Sequence, residues 1–117
     1  MKHHDAGLVV MKAFVNACSH LGIGQEKMAK IIGVNRTTLN RNMNKGWDEN
    51  TKTYEIQLLF IRAYRSLFAV LGGNQEAMKQ WLASYNNYLR GKPLDMVERV
   101  DGISMINMYL DAMRGKV

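Results

Sequence analysis

The chain has one cysteine, Cys18, and one proline, Pro93, in 117 residues. A single thiol excludes an intramolecular disulfide, a disulfide-built scaffold and a multi-cysteine zinc site. A single proline leaves long stretches free to be helical. No run of about 18 apolar residues is present, so no segment reads as a membrane span. The opening residues, MKHHDAGLVV, lack an apolar core followed by a small-residue cleavage site. No secretion signal is read there, and the expected location is cytoplasmic. Period-two alternation never persists long enough for a strand. No Ser/His/Asp set, metal cluster or nucleotide-binding loop is visible, so an enzyme is not expected, and neither is a cofactor or a metal.

What is present is an ordinary globular composition, 47% hydrophobic and 22% charged. Folding would hide roughly two thirds of the unfolded surface, enough for a stable core. The net charge of +6 is uneven. Residues 1–65 carry ten bases and five acids, whereas residues 66–117 carry six and five. A basic first half suits a polyanion, and a near-neutral second half suits a less charged partner. A generic basic surface would look the same by charge alone.

Apolar spacing predicts about seven helices and an all-α fold. Leu8, Met11, Phe14, Val15 and Cys18 mark a helix over 5–19, with Asp5 as its cap. Gln25–Ile32 and Arg36–Met43 follow, separated by Gly33-Val34-Asn35. The segment over 53–71 is apolar around most of its circumference, with Glu55, Arg62 and Ser66 as its polar stripe. Gly72-Gly73 ends it and Asn74 caps a helix over 75–83. That glycine pair lacks the Lys-Ser/Thr of a phosphate-binding loop and reads as a cap. Residues 85–92 read as a loop, Pro93 opens a short helix to about Arg99, and Asp101 caps a last helix over 102–114. The organisation expected is a first module over 1–52, joined by the long apolar helix to a small helical module within 53–117.

Residues 24–44 carry the clearest constellation. Gln25-x-x-x-Ala29-x-x-x-Gly33-Val34-x-x-x-x-Leu39 is the spacing of a helix-turn-helix. Ala29 is small where two helices cross, Gly33 tolerates the positive φ of the tight turn, and Val34 and Leu39 anchor the second helix. Arg36, Thr37, Asn40 and Arg41 then face outward, where Arg and Asn suit guanine and adenine edges. Gln25 sits at a helix N-terminus that can hold a phosphate, and Asn35 and Lys45 flank the second helix. Residues 24–47 hold five bases against Glu26, a net +4. These features predict double-stranded DNA as a partner. A plain αα-hairpin with a solvated basic face is the alternative. Asn42 stands where such motifs often carry an apolar residue, so the helix end is expected to shift or loosen there.

The second half shows no chemistry of its own. In its last helix Ile103, Ile106, Leu110 and Met113 line one face, and Met105, Met108, Tyr109 and Ala112 line a second. Ser104, Asn107, Asp111 and Arg114 form a polar stripe between them. One apolar face closes the core, and the second is either more core or a protein interface.

Together these residues resemble a known family. A helix-turn-helix and a long apolar helix precede Trp81-Leu82, Asn86, Leu89-x-Gly91-Lys92-Pro93-Leu94-Asp95, Gly102 and Leu110 to Arg114-Gly115. That order is similar to the Xre/MbcA/ParS antitoxins of bacterial type II toxin–antitoxin pairs, whose usual partner is a RES-domain toxin. The resemblance covers nearly the whole chain, and the second-half motif is its specific part. It implies an all-helical homodimer that neutralises an NAD-consuming toxin by direct binding and binds operator DNA to repress its own operon. It also implies a toxin-binding C-terminal module whose end reaches the toxin's NAD pocket, which here points to Arg114, Gly115, Lys116 and Val117. Two departures stand out. Arg90 occupies the first of two loop positions where the family usually has paired glycines, and Val117 ends the chain short of an aromatic residue the family tends to carry. The second departure favours the alternative, a stand-alone dimeric helix-turn-helix regulator without a toxin.

Single residues read as structural. Cys18 falls on an apolar face as an inert core thiol, and His20 as a helix-end residue. His3 and His4 read as a flexible terminus, Asp95 and Glu98 as solvated carboxylates. Trp47 reads as packing against the long helix.

Overall fold

A computed structural model describes residues 5–115, with His3, His4, Lys116 and Val117 outside that span. The described residues form α1 (Asp5–His20), α2 (Gln25–Ile32), α3 (Arg36–Asn42), α4 (Lys52–Val70), α5 (Gln75–Ala83), α6 (Pro93–Met96) and α7 (Val100–Gly115), with no strand among them. The all-α expectation is met, with an N-terminal helix-turn-helix and a C-terminal helical part.

The helix boundaries follow local chemistry. Thr51 Oγ1 accepts from the backbone N–H of Tyr54 at 3.2 Å and starts α4 one residue before the expected position. Asn74 Oδ1 accepts from Ala77 N–H at 3.0 Å and starts α5. Gly73 closes α4 with φ of 73°, its N–H donating to the Phe68 carbonyl at 2.8 Å. Pro93 occupies the first turn of α6. The last helix starts at Val100, not at Gly102, because the Ile103 N–H already bonds to the Arg99 carbonyl at 3.0 Å. Asp101 lies inside the first turn, where its Oδ1 accepts from the Gly102 N–H at 2.9 Å.

Three helices build the centre. On one flank of α4, Gln57 meets Met11, Phe60 meets Phe14 edge-on with centroids 5.4 Å apart, and the Tyr64 hydroxyl lies 3.0 Å from His20 Nδ1. On the other flank, Asn107 Nδ2 donates to the Leu59 carbonyl at 3.2 Å, Asp111 pairs with Arg62, and Arg114 Nη1 donates to Ser66 Oγ at 3.2 Å. Residue numbers rise together along both flanks, so α1, α4 and α7 run parallel with α4 in the middle. Phe14, Leu39, Met78, Ile103 and Leu110 belong to one continuous buried cluster. The long helix is therefore the spine that both halves share. No single helix among the described residues is long and apolar enough to cross a membrane.

Three burial assignments change. Ser66 and Asn107, expected on solvent-facing stripes, are buried, because each faces the seam between α4 and α7. Met113, expected on the core face, is exposed, because the last turn of α7 runs past the core. The spine is also less enclosed than its composition implies, leaving Leu58 and Phe68 exposed.

Candidate DNA interface and protein-binding surface

The helix-turn-helix forms as its residues dictate. Gly33 has φ of 75° and closes α2 by donating to the Lys30 carbonyl, while the Val34 N–H bonds to the Ala29 carbonyl at 3.0 Å. Asn35 Oδ1 accepts from the Thr38 N–H at 2.8 Å and starts α3. Ala29 and Leu39 are buried at the crossing. Arg36, Thr37, Asn40 and Arg41 are exposed on one face of α3, and Lys45 is exposed in the turn beyond. Gln25 is half-buried at the start of α2, where Gly24 offers no side-chain cap to the first N–H groups. Asn35 is exposed, but its carbonyl oxygen is committed to the cap.

Two details differ from the sequence reading. Asn42 ends α3 one residue before the expected Met43 but does not loosen it. Its Nδ2 donates to the Thr38 carbonyl at 2.8 Å, and its own carbonyl accepts from Lys45 and Gly46 at 3.1 and 2.7 Å. Lys27, counted with the basic face, is instead turned toward the second half. It bonds to Glu98 and lies 3.9 Å from Asp95. That hydrogen bond holds the Glu98 carboxyl below its ordinary range. Glu98 is thus tied to the helix-turn-helix, while Asp95 remains a solvated carboxylate.

The turn after α3 is seated on α1 by two glycines. Gly46 has φ of 71°, and a Cβ there would stand 2.0 Å from the Gly7 carbonyl oxygen. A Cβ on Gly7 would stand 2.3 Å from the carbonyl oxygen of Trp47. Trp47 is half-buried against the core, with its backbone beside Gly7 of α1. Cys18 is fully buried, and burial pushes its thiol up to about 12. A thiol with that value stays protonated and is a poor nucleophile.

The second surface lies on α7. Ile103, Ile106 and Leu110 face inward, whereas Met105, Met108 and Ala112 face away from the core. Met108 is 72% exposed. Tyr109, half-buried, stacks on Trp81 at a centroid distance of 6.2 Å and meets Tyr88 at 5.1 Å. Tyr88 and Tyr85 are 77% and 64% exposed. Loop 85–92 holds Tyr88 in place. Asn86 and Gly91 pair across it, Asn86 Oδ1 accepts from the Leu89 N–H at 2.9 Å, and Leu89 is buried as the anchor. The result is an aromatic and thioether patch whose inner members, Trp81 and Tyr109, pack against the core while Met105, Met108, Tyr85 and Tyr88 are exposed. Tyr85 and Tyr88 went unread as surface residues in the sequence. No spacing signal marked them, because the chain leaves helical geometry at Ser84, before both. Arg114 and Gly115 are exposed at the end of α7.

Comparison with known families agrees with this two-part layout. Residues 2–46 match the family described as Antitoxin Xre-like helix-turn-helix domain. Residues 66–116 match the family described as Antitoxin Xre/MbcA/ParS C-terminal toxin-binding domain. Curated proteins gave no match. The exposed polar face of α3 lies in the first match, and the exposed face of α7 with its tyrosine loop lies in the second. The two matches together support an antitoxin with a DNA-binding helix-turn-helix at one end and a toxin-binding domain at the other.

Proposed function

We propose that the protein neutralises an NAD-consuming RES-domain toxin by direct binding and, as a cytoplasmic homodimer, represses its own operon through α2 and α3. The observation that carries the toxin half is the exposed face of Met105, Met108 and Tyr109, continued by Tyr88, within the toxin-binding match. An aromatic and methionine surface buries large apolar area with adaptable packing, the chemistry of a protein partner. Arg114 and Gly115, with Lys116 and Val117 beyond, would bring positive charge to a pocket shaped for dinucleotide phosphates.

In the DNA half, Arg36, Asn40 and Arg41 would read base edges, while Gln25, Thr37 and Lys45 would contact phosphates. Asn35 would act through its cap, by orienting α3. Dimeric helix-turn-helix proteins place two recognition helices in successive major grooves, so an operator with two half-sites is expected.

The test pairs two variants in cells carrying a RES-domain toxin. Met108→Glu should lose protection and keep operator binding. Arg41→Ala should keep protection and relax one base position by about 1–3 kcal/mol. Truncation after Asp111 separates this reading from a stand-alone regulator, which would show no toxin phenotype. A folded Met108→Glu chain that still protects would sink the toxin half. A loss for Arg41→Ala that is uniform across sequences would make that residue a phosphate contact.

A further inference from the structure

The turn over 85–92 fixes its most exposed aromatic side chain in place. The Tyr88 ring rests on Tyr109, which stacks on Trp81, itself half-buried against the core. Three rings thus run from the margin of the core out to solvent. The backbone around Tyr88 is closed from both sides. The Asn86 N–H donates to the Gly91 carbonyl at 2.8 Å, the Arg90 N–H donates to the Asn86 carbonyl at 2.7 Å, and Leu89 is buried beneath. An aromatic side chain presented from so closed a turn loses little freedom when a partner covers it.

Arg90 fits the same turn badly and does nothing for the chain with its side chain. Its φ of 58° lies in the left-handed region that glycine adopts freely and other residues avoid. The side chain is exposed and makes no hydrogen bond or ion pair among the described residues. Residues 84–92 hold Arg90 and Lys92 and no acid. Both acids of α7 are already paired, Asp101 with Arg99 and Asp111 with Arg62, and Asp95 stands 3.9 Å from Lys27. A positive charge therefore stays uncompensated two residues from Tyr88, on a backbone that would be more relaxed without it.

We propose that Tyr88 and Arg90 form the specificity pair for the toxin, with Tyr88 entering an apolar pocket on it and Arg90 meeting a carboxylate at the rim of that pocket. The inference rests on the reading of the protein as an antitoxin that binds its toxin directly, and it names the residues that choose the partner. The turn lies within the match to a toxin-binding domain, which sets the occupant as a toxin. Tyrosine and arginine are the side chains on which interface energy most often concentrates. A planar guanidinium joins a carboxylate through two parallel hydrogen bonds, so the contact carries direction as well as attraction. A toxin without the acidic rim would leave Arg90 desolvated and unpaired, which selects against it. The strained backbone then serves partner choice and not stability.

The test measures binding of the full chain to an immobilised RES-domain toxin against which the wild-type chain protects cells, with thermal unfolding of each variant alongside. Tyr88→Ser should weaken binding about a hundredfold or more with little change in melting temperature. Arg90→Gly should weaken binding about tenfold or more while raising the melting temperature, a combination that a purely structural role does not produce. Arg90→Glu should bind more weakly still. Added salt should slow wild-type association more steeply than that of Arg90→Gly, because a screened charge no longer steers. If Tyr88→Ser or Arg90→Gly binds as tightly as wild type while Met108→Glu does not bind, the inference is overturned and the antitoxin reading stands. A labelled single-stranded oligothymidylate that binds the wild-type chain but not Tyr88→Ser would assign the rings to nucleic acid and also overturn it. A wild-type chain that binds and protects against no RES-domain toxin removes the antitoxin reading and this inference with it.

Discussion

Replacing Arg90 with glycine should stabilise the fold. Arg90 is the one non-glycine residue with positive φ among the described residues, at 58°. The turn demands it, because the Arg90 N–H returns to the Asn86 carbonyl at 2.7 Å and Gly91 must then pair with Asn86. A side chain in the left-handed region costs roughly 1–2 kcal/mol through the clash of Cβ with the next carbonyl. Glycine removes that cost but frees the unfolded chain, which returns roughly 0.5–1 kcal/mol. The balance is a gain of about 0.5–1 kcal/mol, or about 2–5 °C in melting temperature for a chain of this size. Thermal unfolding followed by circular dichroism measures it, with Arg90→Ala as the control that keeps Cβ and should change little. An Arg90→Gly chain no more stable than wild type, or an Arg90→Ala chain equally stabilised, would refute the strain argument.

Gly102→Ala should destabilise severely, by roughly 3 kcal/mol or more, since its Cβ would stand 2.0 Å from the Met96 carbonyl oxygen and push α6 off α7; urea unfolding reads the loss, and near-wild-type stability would contradict the packing. Cys18 should resist a thiol reagent at pH 8 in the native chain and react once denatured, because burial raises its thiol to about 12. Native labelling at the rate of a free thiol would show the site to be open. The Glu98 carboxyl is held below its ordinary 4.5 by Lys27, so this pair contributes stability above that value and loses it as pH falls through the lowered one. Glu98→Gln should therefore flatten the acid limb of the stability curve below about pH 4.5, and an unchanged limb would mean the link carries no weight.

Much of this was legible in local chemistry. Gly33, Asn35 and Asn74 each act within three residues of themselves, so the turn, the recognition-helix cap and the start of α5 followed from residue type and spacing. The outward face of α3 followed too, because a seven-residue helix anchored by Leu39 has one side left. What depended on packing was not readable in that way. Ser66 and Asn107 look like surface residues on their own helices, and only the parallel seam of α4 and α7 buries them. Lys27 belongs to a basic run by sequence, yet a carboxylate 71 positions away claims it. Tyr88 becomes part of a surface only because the 85–92 turn folds it against Tyr109. Helix identity and capping are short-range properties set by φ, ψ and neighbouring hydrogen bonds, whereas which face of each helix meets water is settled by how distant helices close on one another.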